Sequence, residues 1–340
     1  PKKDDVNNPS KNIDIVSNYD DVSNNFKENN GNSCVNSYNE IKQTKKEILT
    51  LIKEKIKVVI FDMDGVLRIG NDIIDGANNI IPLLKEKLKI NSIILTNECR
   101  YTNQYLRINL KKIGVNIEEN TKIQTASNNF SDFLKKKIKK TNKKVELVYV
   151  GEEGLEYTIN KLTKYDNCIV HKINSKHEVE KASLFYLVIG TVNNITIEML
   201  ENIIKWSKFN PKVLLTCEDK TDPASKCDFS LGLPCHILHL LEHNIKLDGY
   251  SLGKPNPLLK SNILKLIRNN FNKKINQDEI LFIGDTLCTD IRFAVESEFH
   301  SLLVLSGNTN KEILNKNNNI ITPDYVLNSV KDIVELIENI

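Results

Sequence analysis

Short, unbroken apolar runs recur along the chain from about residue 57, and polar residues follow them. The clearest runs are residues 58–61 and 280–283, which hold four apolar residues each. A run of this kind suits a strand that is covered on both faces, as in a parallel sheet with helices on each side. The apolar pattern therefore predicts buried parallel strands.

Predicted strands and helices alternate along most of the chain. The strands are expected at 57–61, 92–95, 122–125, 146–150, 169–171, 184–189, 212–215, 280–283 and 301–305, and the helices at 41–55, 78–88, 103–113, 127–140, 197–208, 236–242, 258–269 and 290–297. Such an alternation is typical of an α/β fold with a doubly wound, Rossmann-like parallel sheet.

Composition and element order divide the chain into a terminal arm, a core and an insertion. Residues 1–40 are rich in Asn, Ser, Lys and Asp and are predicted to be disordered, because they cannot bury enough apolar surface to offset the entropy of ordering. The core is predicted to comprise residues 41–145 and 232–340. Residues 146–231 are predicted to form an inserted α/β cap domain.

Charge and cysteine content narrow the function classes. The net charge of +3 is too small to indicate a nucleic-acid partner, and no apolar stretch is long enough to span a membrane. The seven cysteines form no CxxC pair and suit a reducing compartment, so a cytoplasmic location is expected. The chain begins at Pro1 without a methionine, which leaves an upstream targeting segment open.

Polar residues that could bind a ligand or take part in catalysis lie at four places beside these strands and helices. They are Asp62 with Asp64, Thr96 with Asn97, Lys254, and Asp285 with Asp290. Acids at the end of a buried strand are costly unless they coordinate a cation or move protons, and ligands of such sheets gather at the carboxyl ends of the strands. Phosphoryl transfer uses such groups: a carboxylate nucleophile, a second carboxylate as acid and base, oxygen ligands for Mg²⁺, and a lysine and hydroxyl for the phosphoryl oxygens.

These four motifs, in this order, resemble those of the haloacid dehalogenase (HAD) superfamily, and the resemblance runs from about residue 57 to the C-terminus. It implies that Asp62 is the nucleophile and a Mg²⁺ ligand, and that Asp64 is the general acid and base and ligates Mg²⁺ through its backbone carbonyl. Thr96, Asn97 and Lys254 would bind the substrate phosphate. Asp285 would complete the metal site, with Asp290 supporting it.

Motif spacing indicates a subgroup of this superfamily. Thr96 lies 34 positions after Asp62, which leaves no room for a cap, whereas Lys254 lies 158 positions after Thr96. A large cap between the second and third motifs resembles the subgroup that contains p-nitrophenyl, phosphoglycolate, nucleotide and pyridoxal phosphatases. The resemblance implies a Mg²⁺-dependent phosphatase of a small phosphorylated metabolite, with a homodimer through the cap among the expectations.

Some features depart from the family pattern or allow a second interpretation. Glu98 and Arg100 stand where the second motif usually continues differently, and they are candidates to contact substrate. Asp290 could instead cap the following helix. His236, His239 and His243 would share one helix face, and an ordinary helix face explains them better than a zinc site.

Two other functions remain open at this stage. A phosphotransferase or mutase would use the same aspartyl-phosphate intermediate. A scaffold protein of weak activity could keep the metal site without useful turnover, although binding alone does not need Asp64 as an acid.

Overall fold

A computed structural model describes residues 45–175, 184–217, 219, 233–244, 249–271, 274–316 and 321–340. The predicted arm, residues 1–40, lies outside these ranges. In chain order the elements are α1 (45–54), β1 (Val58–Phe61), β2 (Arg68–Ile69), β3 (Asp72–Ile73), α2 (Ile80–Leu88), β4 (Asn91–Thr96), α3 (Asn103–Lys112), β5 (Lys122–Thr125), α4 (Ala126–Lys139), β6 (Val145–Val150), α5 (Glu153–Asn160), β7 (Cys168–Lys172), β8 (Leu184–Ile189), α6 (Ile197–Ser207), β9 (Lys212–Leu215), α7 (Leu233–Asn244), β10 (Gly249–Ser251), α8 (Leu258–Phe271), β11 (Ile280–Gly284), α9 (Arg292–Glu296), β12 (His300–Val304), α10 (Lys311–Lys316), β13 (Tyr325–Leu327) and α11 (Val330–Glu338).

The first sheet has six parallel strands in the order β13-β12-β11-β1-β4-β5. The central strand β1 alternates between two apolar layers: Val59 and Phe61 belong to one, and Val58 and Ile60 to the other. Helices α1, α2 and α11 contribute to the first layer, and α8 and α9 to the second. The predicted α/β class and doubly wound parallel sheet are confirmed.

The second sheet lies between β5 and β11 in the chain and has the order β10-β9-β8-β6-β7, again all parallel. Helices α4 and α5 pack on one face and α6 and α7 on the other. Trp206 of α6 is buried there, and its indole Nε1 donates to the carbonyl of Ile173 at 2.9 Å. An inserted α/β domain with its own core is therefore present.

The boundaries of the inserted domain stay predictions, since its expected end at residue 231 falls among residues outside the described ranges. Three elements assigned to the core from sequence, α4, α7 and β10, nevertheless join the second sheet or pack on it. Residues 249–251 pair with β9, and α4 packs against the second sheet through Phe130, Leu134 and Ile138. The strand β10 is too short to register as a strand in the sequence pattern.

The helix predicted at 290–297 begins differently. A wide helical turn at Leu287–Ile291 precedes the five-residue helix α9. Turns of this width inside helices are frequent at functional sites. Asp290 lies in this turn, and its Oδ2 accepts from the backbone N–H of Asp285 directly after β11 at 3.0 Å.

We predict that Phe293→Ala lowers the free energy of unfolding by about 3–5 kcal/mol, because the ring is fully buried. It packs edge-on against Phe282 and Phe299, with ring centroids 5.8 and 6.1 Å away. Urea denaturation measures the change. Val295→Ala, on the same helix but 47% exposed, is the matched control and should change stability by no more than about 0.5 kcal/mol. Similar losses in the two variants would contradict the packing assignment.

Candidate active site

The carboxyl ends of three neighbouring strands bring the predicted site residues together. Asp62 follows β1, Thr96 ends β4 and Asp285 follows β11, and β1 lies between the other two strands. The backbone N–H of Asp62 donates to the carbonyl of Ile283 at 2.8 Å, which ties the first loop to β11. The local sequence produces this arrangement because each apolar run stops where the polar residue begins.

Three carboxylates converge at this edge. Asp62, Asp285 and Asp290 are buried, and one oxygen of each lies within 4.8 Å of the others. Asp290 is held in place from behind, because its Oδ2 accepts from the backbone N–H groups of Asp285 and Thr286 at 3.0 and 3.1 Å. Asp290 thus braces the loop after β11 and does not serve as the N-cap of α9.

The Asp285 carboxylate is held by two donors of its own. The hydroxyl of Thr286 donates to its Oδ1 at 3.0 Å, and the backbone N–H of Asn308 donates to its Oδ2 at 2.6 Å. Two glycines make room for it, since a Cβ at Gly65 or Gly307 would overlap this carboxylate. Gly65 also has a φ of 86°, a conformation that side chains rarely allow.

Lys254 reaches the cluster from the loop after β10. Its Nζ lies 2.6 Å from Asp62 Oδ1 and 2.6 Å from Asp290 Oδ1, and it donates to the carbonyl of Leu95 at 3.2 Å. The side chain is almost fully buried. Four of the seven residues predicted from the sequence, Asp62, Lys254, Asp285 and Asp290, therefore form one cluster.

Burial dominates the electrostatics of this cluster. It raises the pKa of Asp62 to about 8, with Asp290 reinforcing the effect and Lys254 opposing it. Burial, then Asp290 and Asp62, also raise the pKa of Asp285 well above its ordinary value. Burial alone would lower the pKa of Lys254, but Asp290 and Asp62 together outweigh burial and raise that pKa. Lys254 therefore stays protonated. Its single positive charge is too small to let all the neighbouring aspartates ionise easily.

The donor set fits a divalent cation. Three ionised carboxylates and one ammonium would leave an excess of two negative charges in a buried space. Carboxylate oxygens are the ligands that hard divalent cations prefer, and such a cation would cancel this excess. Asp62, Asp285 and Asp290 are the residues that could hold it.

Asp64 faces a different partner. Its Oδ1 accepts from Arg68 Nε at 2.9 Å, and Arg68 Nη1 in turn donates to Asn109 Oδ1 at 2.7 Å. The Asp64 carboxylate is therefore not among the three that converge. Ligation of a metal by the Asp64 backbone carbonyl stays a prediction.

Thr96 and Asn97 differ in how far their side chains are engaged. The Thr96 hydroxyl accepts from the backbone N–H of Glu98 at 3.0 Å and keeps its own proton to donate. The Asn97 amide accepts from the backbone N–H of Lys254 at 2.8 Å and donates to Asp219 Oδ2 at 2.9 Å. Asn97 therefore links the second-motif loop to the segments around Asp219 and Lys254, and phosphate binding by Thr96 or Asn97 stays a prediction.

The loop after Thr96 is closed on itself. Glu98 Oε1 accepts from the backbone N–H groups of Cys99 and Arg100 at 2.9 and 2.6 Å, and Arg100 Nη2 lies 2.6 Å from Glu98 Oε2. The backbone carbonyl of Arg100 accepts from the N–H of Gly154 on α5, so this loop contacts the inserted domain. Contact of Glu98 and Arg100 with substrate stays a prediction.

Arg68, Asn109 and Asn308 are site residues that sequence reasoning missed. Arg68 offered a signal, because it is the first basic residue after the Asp62–Asp64 pair and lies four positions from Asp64. Asn109 and Asn308 offered none, since each is an ordinary polar residue in its own segment. Only the fold brings them to the site.

The described histidines and cysteines do not form a second metal site or catalytic site. His236 and His239 are exposed on α7, and within the described ranges the aspartate cluster is the only group of acids, histidines or cysteines that could hold a metal. Burial raises the pKa of the Cys99 thiol to about 11, so this thiol is a poor nucleophile near neutral pH. None of the described helices has the length and apolar character needed to cross a membrane.

Two family models match the chain. One, described as haloacid dehalogenase-like hydrolase, matches residues 59–162, and the other, described as HAD-hydrolase-like, matches residues 251–333. These segments contain all four motifs, with Asp62, Thr96, Lys254 and Asp285 at the positions described above. The chain belongs to the haloacid dehalogenase-like hydrolases, and the resemblance drawn from its sequence is confirmed.

Curated relatives are similar along most of their length. Phosphoglycolate phosphatase 2 of Arabidopsis thaliana is 25% identical over 296 residues, covering 84% of this chain and 95% of the relative. The 4-nitrophenylphosphatase of Schizosaccharomyces pombe is 27% identical over 294 residues, covering 83% and 94%. Dihydroxyacetone phosphatase of Corynebacterium glutamicum is 25% identical over 276 residues, covering 81% and 89%.

Solved structures share the fold. The p-nitrophenyl phosphatase of Archaeoglobus fulgidus superposes with a TM-score of 0.66 at 21% identity, covering 83% of this chain and 99% of that structure. The 4-nitrophenylphosphatase of Thermotoga maritima gives a TM-score of 0.66 at 20% identity, covering 84% and 98%. The two-sheet architecture is thus that of known members of this class.

We predict that Asp219→Asn makes stability less dependent on pH between about 4.5 and 7. Burial raises the pKa of Asp219 to about 6, against the opposing hydrogen bond from Asn97, so the folded state binds this proton more tightly than the unfolded state. The free energy of unfolding should therefore fall as the pH rises through 6, and asparagine removes that contribution. Urea denaturation at several pH values measures the slope.

The control for this prediction is Asp75→Asn. Lys331 lowers the pKa of the exposed Asp75, so its contribution is lost only as the pH falls towards 4 and below, and the slope above pH 5 should not change. Equal slopes for Asp219→Asn and the unmodified protein would contradict the raised pKa.

Proposed function

We propose that this protein is a Mg²⁺-dependent phosphatase that hydrolyses a small phosphomonoester through an aspartyl-phosphate intermediate. The observation that carries the proposal is the buried cluster of Asp62, Asp285 and Asp290 around Lys254 at the strand ends of a HAD-type core. The phosphatases among the relatives support the reaction class.

Asp62 is the nucleophile in this mechanism. Its carboxylate oxygen bonds to phosphorus while the ester oxygen leaves, which divides hydrolysis into two easier displacements. Asp62, Asp285 and Asp290 would hold a Mg²⁺ ion, which would supply positive charge to offset the negative charge of the carboxylates and the phosphoryl oxygens. The hydrogen bonds to the Asp285 and Asp290 carboxylates hold these side chains close to Asp62.

Lys254 and Thr96 bind the phosphoryl group. The raised pKa of Lys254 keeps its ammonium charged across the working pH range, so it offsets phosphoryl charge. The Thr96 hydroxyl has its own proton to donate to a phosphoryl oxygen. Asn97 supports Lys254, because its side-chain oxygen accepts from the backbone N–H of that lysine.

Asp64 moves the proton. It protonates the leaving oxygen in the first displacement and takes a proton from the attacking water in the second. Water then cleaves the bond between phosphorus and Asp62, which regenerates the Asp62 carboxylate and the protonated Asp64. The inserted domain contacts the second-motif loop through Gly154 and closes over the substrate to exclude bulk water.

The substrate is proposed to be a small phosphorylated metabolite. The relatives named for phosphoglycolate, dihydroxyacetone phosphate and 4-nitrophenyl phosphate act on small phosphomonoesters of differing leaving groups, which supports the class and does not single out one compound. A cytoplasmic location, a homodimer through the inserted domain and the absence of a nucleic-acid partner stay predictions.

A phosphotransferase or mutase is the second candidate, because it would form the same intermediate. The relatives compared above are phosphatases, which favours water as the acceptor. Transfer of ³²P from substrate to an added alcohol, in place of release as inorganic phosphate, would favour the second candidate. A scaffold of weak activity is disfavoured by the positioned Asp64.

We predict that Asp62→Asn lowers turnover of p-nitrophenyl phosphate by about 10³-fold or more, because the amide cannot form the phosphoenzyme. Release of p-nitrophenolate with Mg²⁺ present measures the rate. Asp132→Asn, an acid-to-amide change at the surface of α4, is the matched control and should retain full activity. Undiminished turnover by Asp62→Asn would overturn the mechanism.

We predict that Mg²⁺ raises the melting temperature of the unmodified protein and has a much smaller effect on Asp285→Asn. A ligand present at about 100 times its Kd stabilises the folded state by about 2.7 kcal/mol, and removing one carboxylate weakens binding. Differential scanning calorimetry with a Mg²⁺ titration measures the shift. An equal shift in the two proteins would show that Asp285 does not hold the cation.

A further inference from the structure

The segment after the nucleophile folds Arg68 back onto Asp64. The backbone N–H groups of Leu67 and Arg68 both donate to the carbonyl of Met63, at 2.9 and 3.2 Å, and the N–H of Gly65 donates to the carbonyl of Arg68 at 2.7 Å. This closed turn places Arg68 Nε 2.9 Å from Asp64 Oδ1. Asp64 and Arg68 are 7% and 5% exposed, so the ion pair is shielded from solvent.

A second contact fixes the other end of the guanidinium. Arg68 Nη1 donates to Asn109 Oδ1 at 2.7 Å, and Asn109 lies on α3, which is anchored in the core by the buried Leu106 and Leu110. Because a guanidinium is planar and rigid, two contacts on different atoms define its orientation. Through Arg68 and Asn109, the position of the Asp64 carboxylate is thus fixed relative to α3.

This arrangement separates Asp64 from the other acids of the site. Asp62 and Asp290 share the ammonium of Lys254, and Asp285 lies in the same cluster, whereas Asp64 has a countercharge of its own. A fourth carboxylate without such a partner would be drawn towards the cation that the other three hold. A carboxylate whose oxygens ligate a metal ion cannot carry the proton that the leaving group needs, whereas Asp64 can accept the hydrogen bond from Arg68 Nε in its protonated form as well.

We propose that Arg68, braced by Asn109, is the positioning residue of the catalytic acid: it keeps the Asp64 carboxylate out of the carboxylate cluster and directs it to the leaving-group oxygen. The inference rests on the proposed function. In the first displacement the bond between Asp62 and phosphorus forms, the bond from phosphorus to the ester oxygen breaks, and the proton of Asp64 passes to that oxygen. In the second, water donates a proton to Asp64 and its hydroxide bonds to phosphorus, releasing Asp62.

The consequence concerns the leaving group. p-Nitrophenolate departs with little help from an acid, whereas phenolate is more basic and needs the proton as the bond breaks. Loss of Arg68 should therefore penalise phenyl phosphate much more than p-nitrophenyl phosphate. A residue that only stabilised the fold would affect the two substrates equally.

The experiment measures kcat/KM for a series of aryl phosphates, from p-nitrophenyl to phenyl, in Arg68→Met, Arg68→Lys and Asn109→Ala. The parameter kcat/KM covers the steps up to leaving-group departure and is independent of later hydrolysis. We expect Arg68→Met to raise the ratio of p-nitrophenyl to phenyl phosphate by about tenfold or more, towards that of Asp64→Asn. Arg68→Lys keeps the charge and Asn109→Ala keeps the guanidinium, so these two should show smaller increases in the same direction.

Asp72→Asn, in the same hairpin of β2 and β3 but exposed, is the matched control and should leave the ratio unchanged. If Arg68→Met does not fold, as judged by circular dichroism, Asn109→Ala carries the test. A parallel loss on all aryl phosphates, or no loss, overturns the positioning role while leaving the phosphatase assignment intact. An unmodified protein that hydrolyses no aryl phosphate overturns the proposed function and the inference with it.

Discussion

The structure of the site depends on negative charge that is buried in excess at the ends of β1 and β11. Asp62, Asp285 and Asp290 lie within reach of one another, and Lys254 pairs with two of them, Asp62 and Asp290. Such a cluster is unfavourable by itself, as the raised pKa of Asp62 shows, and a divalent cation would offset its excess negative charge. The glycines beside Asp285 and the hydrogen bonds behind Asp290 serve to keep the acids together.

The same interaction connects the inserted domain to the chemistry. Lys254 follows β10, the edge strand of the second sheet, and its backbone is held by Asn97 of the first. The Asp219 carboxylate accepts from the Asn97 amide, so the segment after β9 and the segment after β10 both contact this one side chain. A movement of the inserted domain would therefore change the position of Lys254 through protein contacts alone, without a contact to substrate.

Features that depend on a few neighbouring residues were predicted correctly from the sequence. The runs 58–61 and 280–283 predicted buried strands and the acids that follow them, because strand propensity and the switch from apolar to polar lie within a few residues. Features that depend on contacts between residues far apart in the chain were predicted less well. The strand β10 has three residues, and only its partner β9 defines it as a strand. The turn before α9 departs from a regular helix because Asp290 bonds backward to the loop after β11.

The sequence by itself determined the α/β class, the order of the four motifs and the residue types from which a phosphoryl-transfer site is built, since each is written in a short stretch of chain. The tertiary structure alone decided how those residues divide the work. Asp62 shares Lys254 with Asp290, Asp64 is held apart by Arg68 and Asn109, and Asn97 supports Lys254 from the side. Pairings of charge depend on distances of a few ångströms between segments far apart in the chain, and those distances exist only after the chain has folded.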